Sequence, residues 1–96
     1  MPPIAKPMFH ERPVPVARIA VGKNPQTDAY APDGRHLYTV NNQSNTVTVI
    51  DTATNRVTAQ IPTGKAPTSI SVLPNGKQAY VTNEGDGTVD VLDIAK

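Results

Sequence analysis

Along residues 27–93, short runs of β-branched and aromatic residues alternate with clusters of turn residues, and nowhere do they leave room for a ten-residue helix. "TDAYA" (27–31) runs into "PDG" (32–34), "HLYTVN" (36–41) into "NQSN" (42–45), and "TVTVID" (46–51) into "TATN" (52–55), followed by "RVTAQI" (56–61). Farther on come "SISVL", "PNG", "QAYVTN", "EGDG" and "TVDVLD". Each run predicts a strand and each cluster a turn; Pro32 presets φ, and Gly34 can take positive φ to reverse the chain. Both faces of the middle strands are apolar or small, with Tyr38 and Val40 on one side and Leu37 and Thr39 on the other. A half-buried sheet would be polar along one whole face, so these strands are expected to lie sandwiched between neighbouring sheets.

The pattern occurs twice. Shifting the chain by 42 residues aligns 19–54 with 61–96 without a gap, and 13 of the 36 positions are identical. The identities fall on turn residues such as Gly22/Gly64, Pro25/Pro67 and Gly34/Gly76, and on strand positions such as Tyr38/Tyr80, Val47/Val89 and Val49/Val91. This period lies in the range of a propeller blade, where four short strands and their turns take about 40–45 residues. The second copy stops after three strands, without a counterpart of "RVTAQI", while "VARIAV" (16–21) aligns at the same offset with "TAQIPT" (58–63). The expected organisation is therefore an outer strand at 16–21, a whole blade at 26–61 and three strands of a second blade at 68–93. Residues 1–15 hold five of the ten prolines and favour an extended conformation.

Composition narrows the function classes. At 96 residues the chain holds one small domain at most. Nine Lys and Arg stand against eight Asp and Glu with no run of either sign, which argues against nucleic acid or an anionic membrane as partner. The absence of cysteine excludes disulfides, thiolate chemistry and Cys-based zinc sites, and leaves the redox compartment open. The apolar stretches are far too short to span a membrane. The opening "MPPIAKPMFHERPVPVAR" lacks the continuous apolar run of a signal peptide, so the expectation is either cytoplasmic synthesis or a leader replaced by Met1.

Four motifs, in order and twice, carry a resemblance. The second copy reads Gly64-Lys65-Ala66-Pro67, Pro74-Asn75-Gly76, Tyr80-Val81-Thr82-Asn83 and Thr88-Val89-Asp90-Val91-Leu92-Asp93. The first reads Gly22-Lys23-Asn24-Pro25, Pro32-Asp33-Gly34, Tyr38-Thr39-Val40-Asn41 and Thr46-Val47-Thr48-Val49-Ile50-Asp51, with Val and Thr exchanged in the third motif. Over residues 16–96 the chain resembles the YVTN-repeat family of β-propellers. The resemblance implies an all-β fold with blades of four antiparallel strands, two blades per chain. It implies a scaffold rather than a reaction, and relatives of this kind are cell-surface and periplasmic proteins.

Two blades cannot close a ring of the usual four to eight. The expectation is a homo-oligomer in which each chain donates residues 16–21 to the last blade of its neighbour, a Velcro-like strand exchange that leaves no sheet edge exposed. Four to eight blades allow two, three or four chains, and three or four are expected. The other reading is a piece of a longer propeller.

In propellers the loops leading into the innermost strands share the mouth of the channel with the loops joining the second and third strands. The candidate ligand-binding residues on that face are Lys23, Asn24, Asn41, Asn42, Lys65, Asn83 and Glu84. One ammonium per blade would attract a small anionic ligand or a protein partner; the plain reading is a turn with a solvated lysine. Glu84, Asp86 and Asp90 offer calcium-like oxygens without the spacing of a calcium loop, so a Gly-rich hairpin turn is expected there. His36 aligns with Gln78 and is expected as an exposed strand residue, and His10 beside Glu11 forms a metal pair only if the N-terminal segment is held in place. Ser44, Ser69 and Ser71 have no base in a recognisable motif, and Asp51 and Asp93 are expected to accept hydrogen bonds from the turns after them. No catalytic residue, metal or cofactor is called for. The expected function is a non-catalytic, self-assembling binding or structural scaffold; the alternative is a propeller-type enzyme or cofactor-binding domain, such as a lactonase-like hydrolase or a redox partner.

Overall fold

The computed structural model describes residues 13–94, so most of the proline-rich segment expected at 1–15, together with His10 and Glu11, lies outside the described residues. Seven strands form two antiparallel sheets. The first sheet runs in the order β1 (Pro25–Tyr30), β2 (His36–Asn41), β3 (Thr46–Asp51), β4 (Arg56–Pro62). The second is β5 (Pro67–Val72), β6 (Gln78–Asn83), β7 (Thr88–Asp93). Among the described residues no helix is long and apolar enough to cross a membrane.

The two sheets repeat one another in detail. β1 and β5 each open with a bulge, at Pro25/Thr27 and at Pro67/Ser69. The turns after them match: Gly34 N donates to Ala31 O at 2.9 Å and Gly76 N to Leu73 O at 2.8 Å, with both glycines at positive φ. Asp33 and Asn75 accept from the backbone two residues on, at 2.8 and 2.9 Å, the Asx geometry that favours these residue types in turns. Hairpin registers also correspond, with Tyr38 opposite Val49 and Tyr80 opposite Val91.

The core lies between the sheets, where β5 packs against β1 and β2. Tyr38, Val40, Val47 and Val49 of the first sheet form one buried cluster with Ile70, Ala79 and Val81 of the second. This explains the exchanged Val and Thr. Val40 shares a face with Val47, and Val81 shares the opposite face of its own hairpin with Ile70, so both valines enter the common core from its two sides and both are fully buried. Each such burial is worth about 1.5–3 kcal/mol. Thr39 and Thr82 fall on the other faces.

The outer face of the second sheet lacks this cover. Val89 and Val91 are 55% and 54% exposed, whereas their counterparts Val47 and Val49 are 0% and 7% exposed. The outer strand expected at 16–21 belongs to neither sheet of this chain: β4 completes the first, β7 ends the second, and Val16 stands 85% exposed.

Candidate functional site

The Gly-Lys-x-Pro turns that lead into β1 and β5 are fastened to the β2–β3 and β6–β7 turns beside them. Asn42 N donates to Asn24 O at 3.0 Å and Gln43 N to Lys23 O at 3.2 Å; in the second copy Glu84 N donates to Ala66 O at 3.0 Å and Gly85 N to Lys65 O at 2.9 Å. Asn24 and Ala66 take the left-handed conformation that the fastening requires, with φ of 56° and 51°. The lysine amides are held by side chains, Lys23 N by Ser44 Oγ at 3.2 Å and Lys65 N by Asp86 Oδ2 at 3.1 Å. The backbone at each lysine is therefore fixed while the side chains of Lys23 and Lys65 are exposed. Close approach makes the preceding glycines necessary: a Cβ on Gly22 would lie 2.5 Å from Ser44 Oγ, and one on Gly64 2.8 Å from Asn83 and Asp86.

Two of the expected ligand residues turn inward. Asn41 and Asn83 are 0% and 1% exposed. Asn41 Nδ2 donates to Thr46 Oγ1 at 3.1 Å and Thr48 Oγ1 at 2.8 Å, and Asn83 Nδ2 to Thr88 Oγ1 at 3.1 Å and Asp90 Oδ2 at 3.0 Å. Through Nδ2 they tie the end of one strand to its neighbour, while the buried Oδ1 of each has no hydrogen-bond partner among the described residues. Asn42 is half-buried and reaches across to the second sheet, donating to Pro67 O at 3.1 Å. Lys23, Asn24, Lys65 and Glu84 remain exposed.

The carboxylates of the acidic turn are occupied by the Thr88 hydroxyl and by amides of the lysine turn. Asp86 accepts from the Thr88 hydroxyl at 2.5 Å and from Lys65 N, and these bonds, the hydroxyl foremost, hold its carboxyl below the usual range. Asp90 Oδ2 accepts from Gly64 N at 2.9 Å. Among the described residues no three His, Asp or Glu side chains gather as metal ligands would. Asp51 accepts from Ala53 N at 2.8 Å and lies 3.5 Å from Arg35 Nε; the Ala53 amide first, with the guanidinium adding, keeps its carboxyl low.

At the opposite end of the sheets the structure opens a cleft between the two copies, about 420 Å³, lined by Asp33, His36, Tyr38 and Ile94 among others. His36 Nδ1 lies 3.3 Å from Asp33 Oδ2, and the Arg35 amide first holds the Asp33 carboxyl below its ordinary value. Burial pushes the Tyr38 phenol up, and the Asp33 carboxylate acts in the same direction. His36 is thus half-buried beside a carboxylate, not a free strand residue. The legible signal was Asp-x-x-His across the turn, a pairing absent from the second copy, where Asn75 and Gln78 stand.

No protein-family profile and no curated protein matches the chain. Solved structures do. Hydrazine synthase of Kuenenia stuttgartiensis is 37% identical over 72% of this chain and 20% of that one, with a TM-score of 0.69. A functionally unknown protein of Desulfotomaculum acetoxidans is 28% identical over 75% of this chain and 23% of that one, at 0.69. The dihydro-heme d1 dehydrogenase NirN, solved in complex with DHE, is 25% identical over 75% of this chain and 15% of that one, at 0.68. This chain therefore spans a quarter or less of the length of each. Hydrazine synthase and NirN are β-propeller proteins, and the two antiparallel sheets of this all-β chain are consistent with propeller blades.

Proposed function

We propose that this chain is a two-blade unit of YVTN-repeat type that assembles with copies of itself into a closed propeller and acts as a binding scaffold, its ligand face formed by Lys23 and Lys65. The observation that supports this most directly is the contrast between the covered Val47 and Val49 and the uncovered Val89 and Val91 at identical repeat positions. An exposed apolar sheet face beside an unpaired edge is a surface made to be covered. Once closed, the ring sets one lysine per blade around the channel mouth, a positive collar suited to a small polyanion or an acidic protein segment. Light scattering tests the assembly: a mass of three or four chains supports it, and a monomer at all concentrations overturns it.

A second reading has its own support. Two of the similar structures belong to a hydrazine synthase and a dihydro-heme d1 dehydrogenase, and Asp33, His36 and Tyr38 meet in one cleft. In that reading the chain is part of a cofactor-binding redox propeller. Titration with haem followed by visible absorption distinguishes the two: a saturable spectral shift lost in His36→Ala favours the redox reading, and an unchanged spectrum favours the scaffold.

A further inference from the structure

Among the described residues β7 has no neighbour on its outer edge, and residues 14–20 carry, one repeat earlier, the pattern of β4. In the first sheet β4 pairs with β3 in a fixed register: Ile61 opposite Val47, Gln60 opposite Thr48, Ala59 opposite Val49. Shifted by the repeat, the same register sets Ile19 opposite Val89, Arg18 opposite Asp90, and Ala17 opposite Val91. The apolar pairs carry over. The polar pair does not carry over unchanged, and its change is matched on both sides. Thr48 Oγ1 donates to Gln60 Oε1 at 2.8 Å, whereas the second copy replaces threonine by Asp90 and the free segment replaces glutamine by Arg18. A neutral hydrogen bond is thus rewritten as a carboxylate and a guanidinium. We propose that residues 14–20 of a second copy of this chain add to β7 as its fourth strand, with Arg18 of that copy paired to Asp90. This names the partner surface of the assembly proposed above and rests on that reading.

The turn at 22–25 repeats the one at 64–67, which in this structure carries the chain from β4 across to β5: Asn24 and Ala66 share positive φ, and Gly22 and Gly64 press on the equivalent asparagines Asn41 and Asn83. A gap of about 210 Å³ separates Val49, Ala59 and Ile61 of the first sheet from Asp93 and Ile94 at the end of β7. Asp90 is held by Gly64 N and Asn83 Nδ2, so its carboxylate is fixed before the partner arrives. Arg18 is exposed.

The chain has no cysteine, so register can be read by cross-linking. Full-length protein carrying Ile19→Cys and Val89→Cys is expected to form intermolecular disulfides on mild oxidation, seen as multimers on a non-reducing gel, because facing residues in an antiparallel pair come within disulfide reach. In the cysteine-free chain, Arg18→Glu is expected to raise the dissociation constant of the assembly about ten-fold or more, and more at low salt than at high. The paired change Arg18→Gln with Asp90→Thr, which rebuilds the pairing of Thr48 with Gln60, is expected to assemble more tightly than Arg18→Glu. If the wild type assembles but the 19–89 link does not form, or Arg18→Glu leaves association unchanged, this inference is overturned and the ring survives by other contacts. A wild type that stays monomeric overturns both.

Discussion

Asn45 Oδ1 accepts the backbone N–H of Ala66 at 2.9 Å, so a turn of the first sheet holds the lead-in turn of the second. Thr63 N donates to Asn45 O at 3.0 Å on the same residue, and Asn42 Nδ2 adds its bond to Pro67 O. Asn45 also takes a φ of 54°, which asparagine tolerates better than most residues. Replacing it by glycine keeps the backbone and removes the bond. Asn45→Gly is expected to lower stability by about 1 kcal/mol in a urea titration.

At the corresponding positions of the second copy stand Glu84 and Gly87, whose side chains cannot make the bonds of Asn42 Nδ2 and Asn45 Oδ1 to a following turn. Glu84→Asn with Gly87→Asn recreates both. The prediction is tighter assembly, with a lower concentration for half-dissociation in analytical ultracentrifugation.

Gly64 is a close-approach glycine. A Cβ there meets Asn83 and Asp86 at 2.8 Å, and Asp86 is already engaged by Lys65 N. Gly64→Ala is expected to cost about 1–3 kcal/mol as overpacking and to disturb the lysine turn with it. Thermal unfolding of this variant beside Lys65→Ala separates the two effects, since the exposed lysine side chain should be dispensable for folding.

Asp33, Asp51 and Asp86 all have lowered pKa values through amide or hydroxyl donors. A lowered folded value means that the native state favours the charged form. The resulting stabilisation is present above the ordinary carboxylate range near pH 4 and is lost as pH falls through the lowered values. The urea midpoint should therefore drop on acidification below about pH 4, and Asp86→Asn should flatten that dependence. Tyr38 has the opposite sign at the alkaline end: its pKa is raised from 10.0 by burial, so its contribution is lost above about pH 10 and Tyr38→Phe should remove that loss.

Lys23→Ala with Lys65→Ala tests the ligand face. Loss of binding to a small polyanion such as inositol hexakisphosphate, by calorimetry at low salt and with unchanged melting temperature, is the expected result.

Much of the fold was legible because the repeat writes its turns twice, and turn chemistry is local: Pro32-Asp33-Gly34 and Pro74-Asn75-Gly76 close alike wherever the strands go. The direction of each strand face was not local. Thr39-Val40 and Val81-Thr82 look like a harmless exchange until the two sheets are seen to share one core, which calls for valine from both sides. The candidate site was half legible for the same reason. The loops bearing Lys23 and Lys65 fasten to the neighbouring turns, but Asn41 and Asn83 look alike with the exposed asparagines in sequence and differ only in which side of the strand end they take. The cleft holding His36 depends on the second sheet closing over the first, which no local pattern records.

The Asn45–Ala66 clip also has a geometric meaning. In the proposed assembly each chain presents two different joining surfaces, so its copies would add head to tail by one repeated rotation. If that rotation divides a full turn, growth stops at a closed ring; if it misses, the same contacts run on into a helical filament. The clip ties the two sheets together, so in that assembly a hydrogen bond distant from the joining edge would take part in deciding whether growth is finite.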